Sequence, residues 1–254
     1  MSAGATALRD YYERKALELD ELGATYASEI PYKRFFYGMR AAKVLELLDP
    51  RPGETILDVG CGSGHYACFA AEAGAHVIAT DVAANYVAQA RAHVGALAGR
   101  CEFRVEDAER LSLPDDAVDK VLLTEVIEHV PDPERAVREA TRVLRPAGRL
   151  VVSTPSRFSP LNLAFAAKRR VRRYGFNEHL HELTPRGFKA LLARDVALER
   201  LEFVNFVLPY PLDLLGARLG DRGLARLGAA ERTLARVPLV RTLGWTMVAA
   251  GRKA

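Results

Sequence analysis

The stretch ILDVGCGSGHYA, residues 56–67, places Gly60, Gly62 and Gly64 at alternate positions directly after an apolar run. β-rich before the glycines and helix-like after them, it reads as a strand, a tight turn and a helix. Glycine supplies positive φ and removes the side chains that would keep a ligand off the main chain. Asp58 stands two residues before the first glycine. Two readings are open: a bare strand-to-helix turn, or a turn against which a small charged cofactor lies. A dinucleotide fingerprint, GxGxxG, would need its third glycine at position 65, where His65 stands.

Outward from this turn the chain alternates. Two helices are expected ahead of it, over 6–22 and 31–48; in the second, Phe35, Met39, Ala42, Leu45 and Leu48 recur at helical spacing. ETILDV is the first strand and GHYACFAAEAG the helix after it. HVIATD, CEFRVED, AVDKVLLT and GRLVVSTP read as strands two to five, with AANYVAQARAHVGAL and DPERAVREATRVL as helices. TPRGFKALLAR adds a helix, and ALERLEFVNF and GWTMVAAGR the sixth and seventh strands. Such alternation predicts an α/β fold, a mostly parallel sheet with helices on both faces. The strands are short apolar runs, as double coverage requires. Ligands of such sheets bind beyond the carboxyl ends of the strands, where the strand order reverses.

The 254 residues suffice for one large α/β domain or two small ones, and 49% hydrophobic with 27% charged residues is usual for a globular protein. A formal net charge of +4 is too small to imply nucleic acid. Cys61, Cys68 and Cys101 are an odd number without a CxxC pair. That argues against a disulfide framework or zinc site and fits a reducing compartment. No apolar run reaches the ~18 residues of a spanning helix. MSAGATALRDYYERK carries charges where a signal peptide needs its apolar core, so a cytoplasmic protein is expected.

Asp81 ends the second strand about 20 residues beyond the first glycine, where a carboxylate can bind both ribose hydroxyls. Asp107 ends the third strand, where a carboxylate can take an adenine amino group. An acidic residue at the tip of each of three successive strands is more regular than helix capping requires.

ILDVGCGSG, VIATD, VEDAERLSLPDDAVDKVLLTEVIEHVPDP and RVLRPAGRLVVSTP resemble, in order and spacing, the motifs of class I S-adenosylmethionine-dependent methyltransferases. The likeness is close over residues 35–155 and holds in outline beyond. It implies a seven-stranded, mostly parallel, Rossmann-like methyltransferase sheet, with an N-terminal helical lid and an insertion after the fifth strand. It implies S-adenosylmethionine as cofactor. The binding residues it points to are Asp58, Gly60, Cys61, Gly62 and Gly64 at the turn, Asp81 and Val82 at the second tip, Asp107 and Ala108 at the third, and Thr124 at the fourth. TEVIEHVPDP resembles more narrowly the O-methyltransferases of ubiquinone biosynthesis, with their Glu-x-x-Glu-His pattern. Arg40 falls where that group has an arginine on the cofactor. Two positions depart from the family: Ala83 replaces a frequent serine, and Ala147 a usual second glycine. The chemistry agrees with the likeness, because this cofactor has no phosphate to cradle. Its carboxylate can meet the amides of the turn, and Arg40 can add a charge-assisted bond. Asp58 is expected to act through the turn, fixing its amides or a water toward the cofactor's amino group.

Methyl transfer is an in-line displacement at a carbon already activated by the sulfonium, and positioning can supply roughly 7–11 kcal/mol of the barrier. An oxygen acceptor must also lose a proton. A phenol near pKa ~10 needs a base or a cation for that at neutral pH. His129 and Glu125 are the expected catalytic residues, with His129 as the base. Glu125, Glu128 and His129, at i, i+3 and i+4, are also a candidate Mg2+ site of two carboxylates and an imidazole. A plainer reading leaves His129 as a hydrogen-bonding partner of a helix end. His179 and His181 are open between substrate contact and loop hydrogen bonding. Tyr11, Tyr12, Phe35, Phe36 and Tyr37 are open between a lid over the acceptor and ordinary core.

RFSPLNLAFAAKRRVRR, residues 157–173, holds six basic residues and no acidic one. Phe158, Leu161, Leu163 and Phe165 fall in its first half, Lys168, Arg169, Arg170, Arg172 and Arg173 in its second. This split suits an anionic membrane surface met through residues 157–176. A solvated basic face is the plain alternative. Nucleic acid ranks third, since only Tyr174 and Phe176 lie beside the cluster. Arg218, Arg222 and Arg226 make a stripe on a helix that Gly216, Gly220 and Gly223 weaken.

A single methyltransferase domain over 1–254 is expected: a helical lid (1–50), a cofactor-binding half (51–155), the basic insertion (156–184) and a part completing the sheet (185–254). The expected acceptor is the hydroxyl of a small lipophilic, quinol- or phenol-like molecule, which would place the enzyme in quinone biosynthesis and peripherally on the membrane. The alternatives are an N- or C-methyltransferase of a natural-product pathway and a cofactor-binding interaction protein without turnover.

Overall fold

The computed structural model describes residues 3–18, 25–160, 180–206, 221–238 and 240–254. Its strands are β1 (Thr55–Val59), β2 (His76–Asp81), β3 (Cys101–Val105), β4 (Val118–Thr124), β5 (Leu144–Pro155), β6 (Val196–Val204) and β7 (Thr246–Lys253). They form one seven-stranded sheet in the order β3-β2-β1-β4-β5-β7-β6. Every pairing from β3 to β5 is parallel, and β7 runs antiparallel between β5 and β6. The seven-stranded, mostly parallel Rossmann-like sheet that the resemblance implies is therefore present, with β7 as its reversed strand.

The helices are α1 (Ala3–Glu18), α2 (Pro31–Leu48), α3 (His65–Glu72), α4 (Ala84–Val94), α5 (Pro133–Val143), α6 (Pro185–Leu192) and α7 (Asp221–Leu234). Two of them begin as their sequences dictate. Asp132 accepts the Arg135 N–H at 3.0 Å with Pro133 opening α5, and Thr184 accepts the Gly187 N–H at 3.0 Å with Pro185 opening α6. By contrast, α7 forms across Gly223 and Gly228, against its propensity. Its buried Glu231 accepts the Phe206 N–H at 3.0 Å, a tertiary anchor that helix propensity does not register. Arg218, Gly216 and Gly220 lie outside the described residues.

Alternation along β1 and β4 sends neighbours to opposite layers. Ile56 and Leu122 pack with Val44, Leu48 and Ala67 on the side of α2, α3 and α4. Leu57, Val121 and Leu123 pack with Val137, Ala140 and Phe188 on the side of α5 and α6. Within β5, Ala147 takes φ 60°, a conformation that glycine adopts at less cost. Its neighbour Gly148 could not carry a side chain, because a Cβ there would stand 2.8 Å from the Arg145 carbonyl oxygen.

Register places the site. Val59 sits opposite Thr80 on β2 and Leu123 on β4. Gly60, Asp81 and Thr124 therefore reach one rim, where the strand order reverses between β1 and β4. No helix among the described residues is long and apolar enough to cross a membrane.

Candidate active site at the sheet rim

Gly60, Gly62 and Gly64 all take positive φ, at 70°, 50° and 80°. A Cβ on Gly60 would stand 2.3 Å from Val126 Cγ2, and one on Gly64 2.8 Å from Ala90 Cβ. The first glycine lets the loop after β4 close on the turn, and the third lets α3 seat on α4. The Gly62 N–H donates to Asp81 Oδ2 and the Ala83 N–H to Asp81 Oδ1, both at 3.0 Å. Asp81 thus fixes the amide of the turn, the role that the sequence reading assigned to Asp58.

Asp58 is instead fully buried on β1, with no hydrogen-bond donor to either carboxylate oxygen among the described residues. Burial, reinforced by the Asp81 charge, pushes its pKa up to about 7; the Ala67 backbone amide pulls the other way without reaching hydrogen-bonding geometry.

A cavity of about 380 Å³ opens over this rim, within the ~300–1,000 Å³ range of small-molecule sites. Gly60, Cys61, Gly62, Asp81, Val82, Asp107, Ala108 and Thr124 line it, with Arg40, Glu125 and His129. Asp58, Gly64 and Glu128 lie behind its wall. Asp107 Oδ1 accepts the Glu109 N–H at 2.9 Å, which orients the carboxylate in the turn after β3.

The roof comes from the leading helices. Of the aromatic residues expected there, Tyr12 and Tyr37 line the cavity. Phe35 and Phe36 turn to Tyr32, and Phe36 also to Trp245; Tyr11 packs edge-on against Tyr12. Lys15 and Tyr26, which sequence reasoning missed, line it as well. Tyr26 sits in a short irregular link where no periodicity marks it. Its ring stacks on His65 at 3.5 Å and 9°, and its hydroxyl accepts from Arg40 Nη2 at 2.9 Å. Burial, with His93 and Arg40 nearby, lowers the His65 pKa to about 4, so this ring is neutral at physiological pH.

Arg40 Nη1 pairs with Glu125 Oε2 at 2.9 Å, and its guanidinium lies 5.5 Å from the centre of the Tyr37 ring. Its Nε is buried with no partner among the described residues. Glu125 carries φ 54°, a strained backbone for a residue with a side chain. It is held there by Arg40, by Ser153 Oγ on Oε1 at 2.9 Å, and by its own N–H on the Ser153 carbonyl at 2.9 Å.

Glu128 is buried, and Thr154 Oγ1 donates to its Oε2 at 3.0 Å. Burial first, and the neighbouring Glu125 second, raise its carboxyl well above the usual range. His129 reaches the cavity with Nε2 3.8 Å from Glu128 Oε1 and its ring edge-on to Tyr12 at 5.5 Å between centres. The expected metal set of Glu125, Glu128 and His129 is not assembled. Glu125 turns to Arg40 and Ser153 while Glu128 turns to Thr154. No group of three His, Cys, Asp or Glu among the described residues is arranged to hold a metal ion.

His181 serves the loop: its N–H donates to the Glu128 carbonyl at 3.1 Å, and its Nε2 lies 3.3 Å from the Pro131 carbonyl. His179 and residues 161–176 of the basic segment lie outside the described residues, so the membrane expectation falls almost wholly there. Phe158 is described and exposed.

The donor set suits a ligand that carries both a carboxylate and a diol. Arg40 Nε and the bare turn can meet a carboxylate, and Asp81 presents a fixed carboxylate to a diol.

Residues 57–152 match the methyltransferase domain family. A ubiquinone biosynthesis O-methyltransferase of Xanthomonas oryzae pv. oryzae is 36% identical over 136 residues, 53% of this chain and 54% of that protein. A probable S-adenosylmethionine-dependent methyltransferase of Mycobacterium tuberculosis is 41% identical over 128 residues, 49% of this chain and 45% of that protein. The chain spans about half the length of these curated relatives. The crystal structure of an S-adenosylmethionine-dependent methyltransferase from Aquifex aeolicus superposes with a TM-score of 0.60 at 16% identity, over 95% of this chain and 98% of that one. At that identity the likeness is one of fold.

Proposed function

We infer that this chain, whose residues 57–152 are a methyltransferase domain of the S-adenosylmethionine-dependent class, methylates a hydroxyl of a small lipophilic, quinol- or phenol-like acceptor. The cofactor supplies an electrophilic methyl group on its sulfonium. Asp81 would hold the ribose, Val82, Ala108 and Asp107 would line the adenine end with Asp107 toward its amino group, and the glycine turn with Arg40 would take the carboxylate. Thr124 lines the adenosine side.

His129 carries the oxygen-acceptor reading. It is the imidazole on the cavity wall at the end of β4, backed by a buried carboxyl at 3.8 Å. In this reading His129 removes the acceptor's proton as the methyl group transfers, and Glu128 behind it orients the ring. Tyr12 closes the acceptor side, edge-on to the same imidazole. The partial likeness to ubiquinone O-methyltransferases supports a lipophilic acceptor, and the basic segment within 157–176 suits delivery from an anionic membrane.

The test is turnover with S-adenosylmethionine and a prenylated catechol, the methylated atom being located by mass spectrometry and NMR. Transfer to oxygen supports the reading. Transfer to nitrogen or carbon only, or cofactor binding without transfer to any acceptor class, overturns it. Flotation with anionic but not neutral liposomes, lost as salt shortens the Debye length toward ~8 Å, tests the membrane part.

A further inference from the structure

Helix α4 begins without a cap of its own. Ala83 stands at its N-cap position and offers no side-chain acceptor, so the first amides of the helix need partners from elsewhere. They find them on α1. Glu13 Oε1 accepts the Ala84 N–H at 2.7 Å, and Glu13 Oε2 accepts the Asn85 N–H at 3.0 Å. The amide one residue earlier, that of Ala83, goes to Asp81 Oδ1 at 3.0 Å. Three successive amides are thus shared between two carboxylates, one on the cofactor rim and one on the roof helix.

The rest of the contact is built around this clip. Asn85 Nδ2 donates to the Glu13 carbonyl at 3.2 Å, and Gln89 Nε2 to the Ala16 carbonyl at 2.6 Å. Ala16, Ala83 and Tyr86 form a small buried cluster with Tyr12 against it. Tyr12 then bridges the cavity, its ring 6.4 Å from Tyr86 on one side and 5.5 Å from His129 on the other.

We propose that Glu13 is a cofactor-positioning residue: capping α4 from α1, it fixes the Asp81 loop and couples the seating of α1 over the cavity to cofactor binding. The proposal rests on the reading of the cavity as an S-adenosylmethionine site with Asp81 on the ribose. A carboxylate at a helix N-terminus is favoured both by the macrodipole and by charge-assisted bonding. Linkage makes the coupling reciprocal: if a seated α1 tightens the cofactor, the cofactor must steady α1 by the same factor.

Calorimetry with S-adenosylhomocysteine and hydrogen exchange of the α1 amides, on the full chain, test this. Glu13→Ala substitutes the stronger helix former, so α1 loses its clip without losing propensity. Its affinity should fall about two- to thirty-fold, the range expected of a lost helix cap. Its α1 amides should exchange faster, and the ligand should slow α1 exchange in the wild type but not in the variant. Adding Ala83→Ser to Glu13→Ala gives α4 a cap of its own. That should recover part of the affinity while α1 stays fast, a separation that general loss of folding could not produce. Arg14→Ala, on an exposed neighbour, should match the wild type. Wild-type affinity in Glu13→Ala, no effect of ligand on wild-type α1, or no recovery from Ala83→Ser each overturn the proposal. A wild-type protein that binds no S-adenosylhomocysteine overturns the cofactor reading beneath it.

Discussion

The Asp81 carboxylate at the tip of β2 holds the Gly62 amide of the glycine turn at 3.0 Å and the Ala83 amide at the same distance. The Asp81 carboxylate and the glycine turn are therefore one unit, and damage to either should reach both. Asp81→Asn keeps the shape but can no longer accept from both amides. It should weaken S-adenosylmethionine binding by about 1–3 kcal/mol, the cost of leaving a buried polar partner unpaired. Calorimetry reads this directly, and an unchanged affinity would remove Asp81 from the site.

Asp58 predicts a pH effect of fixed sign. Its native carboxyl is pushed up to about 7, against 3.8 for a free aspartate. Between those values the native state holds a proton that the unfolded state has released. Stability contributed by this group is therefore greatest at low pH and declines as pH rises to about 7. Asp58→Asn imitates the protonated form. It should unfold at nearly the wild-type denaturant midpoint at pH 4 and gain on it steadily up to pH 7, by an amount on the order of 4 kcal/mol at most. A constant offset between the two proteins across that range would show that Asp58 is ionised in the fold.

Much of this was legible in the sequence because periodicity and turn chemistry act locally. The β1 run and its alternating glycines carried the fold, Asp81 and Asp107 followed from counting to strand ends, and Thr124 came from the resemblance to the methyltransferase family. What escaped was set by contacts across long sequence separations. Nothing near Asp58 shows that its carboxylate will face into the protein while Asp81 takes the turn's amide. Glu13 lies some seventy residues from the amides it caps. Glu125 and Glu128 have helical ligand spacing, yet Arg40 and Ser153 draw one aside and Thr154 the other.

The first residues of β5 offer a stability test remote from the chemistry. Ala147 is exposed and sits at φ 60°. Left-handed backbone costs an L-residue roughly 1–2 kcal/mol, and glycine returns part of that through its freer unfolded chain. Ala147→Gly should therefore stabilise the protein by about 0.5–1 kcal/mol. Its carbonyl still accepts from Arg252 Nη1 at 2.9 Å, so no contact is given up. A higher urea midpoint with an unchanged slope is the expected result. A lower midpoint would mean that the alanine methyl contributes more than the backbone strain costs.

Glu128 and His129 make separable predictions in kinetics. If His129 takes the acceptor's proton, His129→Ala should lower kcat by roughly 10²–10⁴-fold. Affinity for S-adenosylmethionine should barely change, because the cofactor contacts proposed above come from other residues. Glu128 acts one step back, with Oε2 on Thr154 and Oε1 3.8 Å from the imidazole. Glu128→Gln keeps the volume and the Thr154 contact but alters what backs the ring, so kcat should fall less, by about tenfold, with KM for the acceptor steady. Combining the two should cost no more than His129→Ala alone, because a residue that works through the imidazole has nothing to orient once the ring is gone. Additive losses in the double variant would separate Glu128 from His129. Full activity in His129→Ala would point to an acceptor that needs no base, as an amine does not.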